Sequence, residues 1–128
     1  MGYFIADLHE RLALSTKLAE RHFGMTFEQA AVGLALVDLD GSFIKVNRKL
    51  CELLGYDEDE LYLRRFQDIT LPEDLAESLA GREQVLMGDG RALTFEKRYL
   101  RKDGSRLWIE LTLAASKTPE GVADRIIA

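Results

Sequence analysis

Residues 92–116 read ALTFEKRYLRKDGSRLWIELTLAAS, and they decide the fold. Two β-prone runs, 92–101 and 105–116, flank Lys102-Asp103-Gly104. That tripeptide signals a hairpin turn, because glycine tolerates the positive φ a tight reversal needs. The second run alternates. Leu107, Ile109, Leu111 and Leu113 face one way, and Trp108, Glu110 and Thr112 face the other. Downstream, residues 118–121 form another turn signal, and 122–128 read as a third strand.

Upstream of this hairpin the periodicity changes. Residues 72–87 predict a helix with Pro72 in its first turn, where the missing N–H does no harm. Thr70 and Glu73 have capping-box spacing, and Gly88-Asp89-Gly90 breaks the helix. Asp57 and Glu60 repeat that spacing before a helical turn near Leu61. Asn47 is a good N-cap for a helix over Arg48 to Leu54, which Gly55 ends. Before it, residues 33–38 and 43–46 are two strands joined by Asp40-Gly41, a second hairpin. Thr26 and Gln29 open a short helix that stops at Gly33.

The N-terminal stretch differs again. Residues 3–23 hold no Gly or Pro and place Ile5, Leu8, Leu12, Leu18, Ala19 and Phe23 on roughly one stripe. Two units follow: an N-terminal amphipathic helix over 1–25, and a domain over 26–128. Helices lie between two β segments whose strands are joined by hairpins. This predicts an α+β fold, one antiparallel sheet with helices on one face.

At 128 residues the chain suits one compact domain. Its 47% hydrophobic and 30% charged content is ordinary for a soluble domain. The net charge of -5 argues against nucleic acid, which needs a basic face. The single cysteine, Cys51, permits no internal disulfide and points to a reducing compartment. Asp7, His9, Glu10 and Arg11 interrupt any signal-peptide core, and no apolar run reaches the roughly 18 residues of a membrane span. The expectation is a cytoplasmic segment with no membrane contact of its own.

The ordered set of short stretches resembles the PAS family, of the sensory-box type found in signal-transduction proteins. They are Phe27-Glu28-Gln29-Ala30-Ala31-Val32-Gly33, Val37-Asp38-Leu39-Asp40-Gly41, Val46-Asn47 and Cys51-Glu52-Leu53-Leu54-Gly55-Tyr56. Glu60-Leu61, Leu71-Pro72-Glu73-Asp74-Leu75, Glu96-Lys97-Arg98-Tyr99 and Arg101-Lys102-Asp103-Gly104 with Trp108 follow at the family's spacing. The resemblance covers about residues 26–128. It implies a five-stranded antiparallel sheet cupping a pocket under helices, with output passed to an attached kinase, cyclase, phosphodiesterase or regulator. It departs at the end, because the family's exit motif after the last strand is absent, so that strand reads as truncated.

The resemblance also implies which cofactors to test. Flavin-binding light sensors use a cysteine in the short helix after the Glu-Leu signal, where this chain has Phe66. Ile109 and Leu111 stand where such sites carry polar ring-binding residues. Heme-binding members use a histidine on the long helix, and residues 72–87 contain none; His9 and His22 lie in the N-terminal helix. Flavin and heme are therefore disfavoured. What remains is no ligand or an unknown small apolar molecule, with Val37, Leu50, Leu54, Leu79, Tyr99, Ile109, Leu111 and Leu113 as candidate pocket residues. Of these, Tyr99 alone offers a polar group.

Other motifs have plainer readings. Asp38-Leu39-Asp40-Gly41 fails as a calcium loop, since Phe43 and Lys49 occupy the required Gly and Glu positions. His9-Glu10-Arg11-Leu12 lacks a second histidine for zinc and reads as a solvated helix position. Lys97, Arg98, Arg101, Lys102 and Arg106 form a basic hairpin, read as solvated surface. Asp57-Glu58-Asp59-Glu60 reads as a helix start and Cys51 as an ordinary buried thiol. No catalytic or metal residues emerge, so the chain is not expected to be an enzyme.

The expected role is a sensory input and dimerisation module that binds a small apolar ligand under the sheet and relays to an output domain elsewhere in the parent chain. The alternative is a ligand-free homodimerisation scaffold. In either case the candidate dimer interface is Ile5, Leu8, Leu12, Leu18, Ala19, Leu34, Leu36 and Trp108, because an apolar helix stripe must be covered.

Overall fold

The structure is a computed structural model and describes residues 25–128 apart from residue 89. The expected amphipathic helix, with Ile5, Leu8, Leu12, Leu18 and Ala19, lies outside the described residues. Residues 25–29 are helical (α1). The order then runs β1 (Ala35–Asp38), β2 (Phe43–Val46), α2 (Arg48–Leu54), α3 (Glu58–Tyr62), α4 (Phe66–Ile69), α5 (Pro72–Met87), β3 (Leu93–Leu100), β4 (Arg106–Lys117) and β5 (Ala123–Ile127). The five strands form one sheet in the order β2-β1-β5-β4-β3, and every neighbouring pair is antiparallel. This is the α+β architecture expected from the sequence.

Local chemistry sets the reversals. Gly41 has φ +96° in the β1–β2 turn, and a Cβ there would collide with the Gln67 amide. The Gln67 Nε2 donates to the Asp40 carbonyl at 3.0 Å, which fastens α4 onto this turn. At α3 the Asp57–Glu60 capping box forms reciprocally. The expected box at Thr70 does not form. Leu71 is the N-cap of α5, and Thr70 Oγ1 donates to the Phe66 carbonyl at 2.7 Å and accepts from Lys97 Nζ at 3.1 Å. A buried ammonium claims the hydroxyl that the spacing assigned to the helix end.

Asn47 does more than cap α2. It is fully buried, and its side chain uses its whole hydrogen-bonding capacity. Nδ2 donates to the carbonyls of Phe27 and Val32, both at 2.9 Å. Oδ1 accepts from the N–H of Leu34 at 2.9 Å and of Leu50 at 3.0 Å. The segment between α1 and β1 is thereby held against the start of α2.

The far side of the sheet is fastened to α5. The edge strand β3 has its Arg98 N–H donating to Asp74 Oδ2 at 2.8 Å, while the Arg98 carbonyl accepts from Leu71 N–H at 3.1 Å. The free edge of a sheet is thus paired locally. Further along the helix, Gly81 permits close approach: a Cβ would lie 2.9 Å from the Phe95 ring. The core between the two layers comprises Val37, Phe43, Leu54, Leu61, Phe66, Ile69, Val85, Tyr99, Leu113 and Ile126, with others around them.

Candidate functional site

Side-chain alternation along β3 and β4 builds the site. In the β3–β4 register Phe95 stands opposite Leu111, Lys97 opposite Ile109, and Tyr99 opposite Leu107. All six point to the helix side, as their burial shows. The helices do not fill the space above them. A cavity of about 410 Å³ remains, open at one side, between the sheet, α2, α4 and α5. Its lining is mainly apolar. Val37, Leu50, Leu54, Tyr99, Ile109, Leu111 and Leu113 border it. Leu79, also expected there, packs half-buried against the core and does not border the cavity.

The polar content differs from the sequence expectation. Lys97 was expected on a solvated basic hairpin, but it is only 2% exposed and borders the cavity with Ser78 and Arg82. Its Nζ donates to Ser78 Oγ at 2.8 Å and Thr70 Oγ1 at 3.1 Å. It also lies 4.4 Å from the centre of the Tyr99 ring and 4.9 Å from that of Phe66. Two hydroxyls and two aromatic faces stabilise a cation. Among the described residues no carboxylate bonds to it, and its third N–H has no acceptor. The nearest acidic influence, Asp74, is committed to Arg98 by a pair of 2.9 Å bonds. Burial accordingly pulls the Lys97 ammonium down to about 7, with Asp74 opposing only in part. Burial also pushes the Tyr99 hydroxyl up, so it stays protonated at any physiological pH.

Lys97 could have been found from the sequence. It sits two residues from Phe95 and from Tyr99 and opposite Ile109, so strand alternation alone sends it inward. A charge run obscured that reading. Its other members are placed at the surface or rim: Lys102 and Arg106 are exposed, Arg98 and Arg101 half-buried. Ser78 and Arg82 are one turn apart on α5 and so share a face. The Arg82 Nε is buried and has no partner among the described residues.

Of the remaining candidates, Trp108 borders the cavity, while Leu34, Leu36 and Cys51 do not. Leu34 and Leu36 are half-buried. Trp108 is 63% exposed, and the Arg98 guanidinium lies 4.9 Å from its ring centre. Cys51 is half-buried on α2 and does not border the cavity; burial raises its thiol pKa, the wrong direction for a reactive thiolate. No group of acidic, histidine or cysteine side chains suited to a metal occurs among the described residues.

A family model described as the PAS fold matches residues 43–128. The chain belongs to the PAS family. This PAS domain is 34% identical over 110 residues to the probable diguanylate cyclase DgcE of Escherichia coli (strain K12), a match covering 86% of the chain and 10% of that protein. It is 32% identical over 107 residues to the C4-dicarboxylate transport sensor protein DctS of Rhodobacter capsulatus, covering 81% of the chain and 16% of that protein. The PAS domain of an HTR-like protein from Haloarcula marismortui superposes with TM-score 0.71 at 26% identity, covering 92% of this chain and 94% of that one. The module thus spans only 10% and 16% of these two curated relatives. It is a PAS sensory module of the kind carried by signalling proteins. Among the described residues no helix is long and apolar enough to cross a membrane.

Proposed function

We propose that this PAS domain is a cytoplasmic sensory input module, not itself catalytic, that takes a small molecule into the cavity beneath its sheet. The signal passes to an output domain in the same parent chain. The observation that carries this reading is the cavity itself. At about 410 Å³ it falls in the size range of small-molecule sites, which are also mainly apolar with a few polar groups. Interiors without such a role are normally packed to few voids.

The residues argue against the two common prosthetic groups. The sole cysteine is away from the cavity, and Phe66 borders it where flavin photochemistry would need a thiol. Both histidines fall within residues 1–24, so none of the described cavity residues offers the histidine that would ligate heme iron.

Dimerisation is the second half of the proposal. Trp108 and Ile127 are exposed, with Leu36 half-buried. Covering them with the apolar stripe of residues 1–25 from a second copy would give a homodimer whose arrangement a ligand can bias.

Native mass spectrometry of freshly purified protein tests both halves. A dimer that carries extra non-covalent mass is expected. A protein that never acquires small-molecule mass, even with cell extract added, would leave only a ligand-free dimerisation scaffold. The variant Leu12→Asp is expected to yield monomer; a persistent dimer would remove the helix from the interface.

A further inference from the structure

Most of the cavity wall asks for an apolar ligand, but Lys49, Arg82, Lys97 and Glu110 also border it, and of these charged groups Lys97 alone is fully buried. Lys97 is a buried cation on the wall, held by Ser78 and Thr70 and flanked by two aromatic rings, with no anionic partner among the described residues. Burying an ammonium without a counter-charge is costly, and an inward methionine or leucine would fill the same space at no such cost. A buried, unneutralised charge in a cleft marks a functional position. Among the described residues its spare N–H has no acceptor, and a second cationic side chain, Arg82, paired with Glu83 through Nη1 at 3.2 Å, borders the same space with its Nε unpartnered.

Resting on the sensor reading above, we infer that the cavity binds an amphiphilic monocarboxylate. Its carboxylate bonds to Lys97 and its apolar body lies along Val37, Leu54, Ile109, Leu111 and Leu113. The carboxylate supplies the missing counter-charge and accepts the free N–H of the ammonium, a charge-assisted bond in a low-dielectric site. A single negative charge suits one fully buried cation. The cavity volume sets the size. At the ~30 Å³ that one water occupies in the liquid, 410 Å³ accommodates roughly a dozen non-hydrogen atoms. Straight-chain carboxylates of medium length fit that limit.

Binding requires the protonated lysine. From about pH 7 upward Lys97 loses its proton in the free protein, so carboxylate affinity falls as pH rises from 6.5 to 9. The groups facing Lys97 do not confuse this window. Ser78 and Thr70 do not titrate, Tyr99 is pushed upward by burial, and Asp74 is held down to about 2.

The test is calorimetric titration of the protein with octanoate and with octanol, its neutral counterpart, at pH 6.5 and pH 9. Lys97→Met keeps length and apolar packing and removes the charge. Circular dichroism confirms that it is folded. Octanoate is expected to bind the parent protein at least tenfold more tightly than it binds the variant at pH 6.5. This difference should shrink at pH 9, and octanol should be indifferent to the substitution. If Lys97→Met unfolds, Lys97→Gln serves in its place. Equal binding of octanoate and octanol, unaffected by Lys97→Met, would overturn the carboxylate site while leaving a ligand-binding cavity. No binding of either probe to the parent protein would overturn the carboxylate site and count against the cavity as a ligand site.

Discussion

Ser78 Oγ accepts a hydrogen bond from Lys97 Nζ at 2.8 Å, and this contact joins the long helix α5 to the edge strand β3 across the cavity wall. It softens the burial of Lys97 without neutralising it. Lys97→Met is therefore expected to stabilise the fold at pH 6, by about 1–4 kcal/mol on the precedent of buried charges replaced by apolar residues. The sign with pH follows from the lowered pKa. Below about pH 7 the lysine is charged in both folded and unfolded chains, and the penalty is complete. Between about 7 and the ordinary 10.5 the unfolded chain keeps a proton that the folded one releases, so parent stability climbs. The gain from Lys97→Met should accordingly shrink from pH 6 to pH 9.5 in urea titrations. A loss of stability at pH 6 would show that the ammonium is well solvated after all.

Asn47→Ala removes four hydrogen bonds at a position with no solvent access. Each orphaned buried group costs about 1–3 kcal/mol when water cannot replace the partner. A destabilisation of about 3 kcal/mol or more is expected from the urea midpoint at constant slope. A change below about 1 kcal/mol would mean that the segment between α1 and β1 is not held by this side chain.

Asp74→Asn tests the edge of the sheet. The carboxylate accepts from the Arg98 side chain and from its backbone N–H, and these bonds hold it down to about 2. A depressed carboxyl stabilises the fold above its unfolded value near 3.8, and that stability fades as pH falls toward 2. Asp74→Asn should lower the Tm at pH 7 and flatten its dependence between pH 4 and 2. An unchanged acid limb would assign acid sensitivity to other carboxyls.

Leu111→Trp probes whether the cavity is real space. Enlarging a side chain in a filled core typically costs about 1–3 kcal/mol. Here the indole has room, so little or no loss is expected, together with loss of any retained small-molecule mass in native spectra. A large destabilisation would mean that the space above β4 closes in solution.

Much of the fold was legible because its signals are local. The caps at Asn47 and Asp57 act within three residues, and both form as their spacing predicts. Alternation in 107–113 gave the buried face of β4 without reference to anything distant. Thr70 misled because its decisive partner, Lys97, is 27 residues away and carries a charge. Lys97 itself was legible by register and was missed because charged neighbours in sequence suggested a solvated strand. Leu79 shows the limit of periodicity: an apolar helix residue can face the core and still miss the cavity, since the gap depends on how α5 tilts over β3. The volume of that gap is a property of packing, and single-residue patterns do not encode it.

Ala35 and Ala128 exchange both of their backbone hydrogen bonds at 2.8 Å, at the matching ends of β1 and β5. Paired residues of this kind stand about 5.5 Å apart. These two residues thus form the terminal rung of the β1–β5 ladder described here. A tension applied across those two points would part β1 from β5 one rung at a time, like a zip, instead of shearing all the rungs together. The third rung of that ladder joins Val37 and Ile126, two residues that border the cavity. A molecule seated in the cavity would therefore lie against the same seam that tension would open.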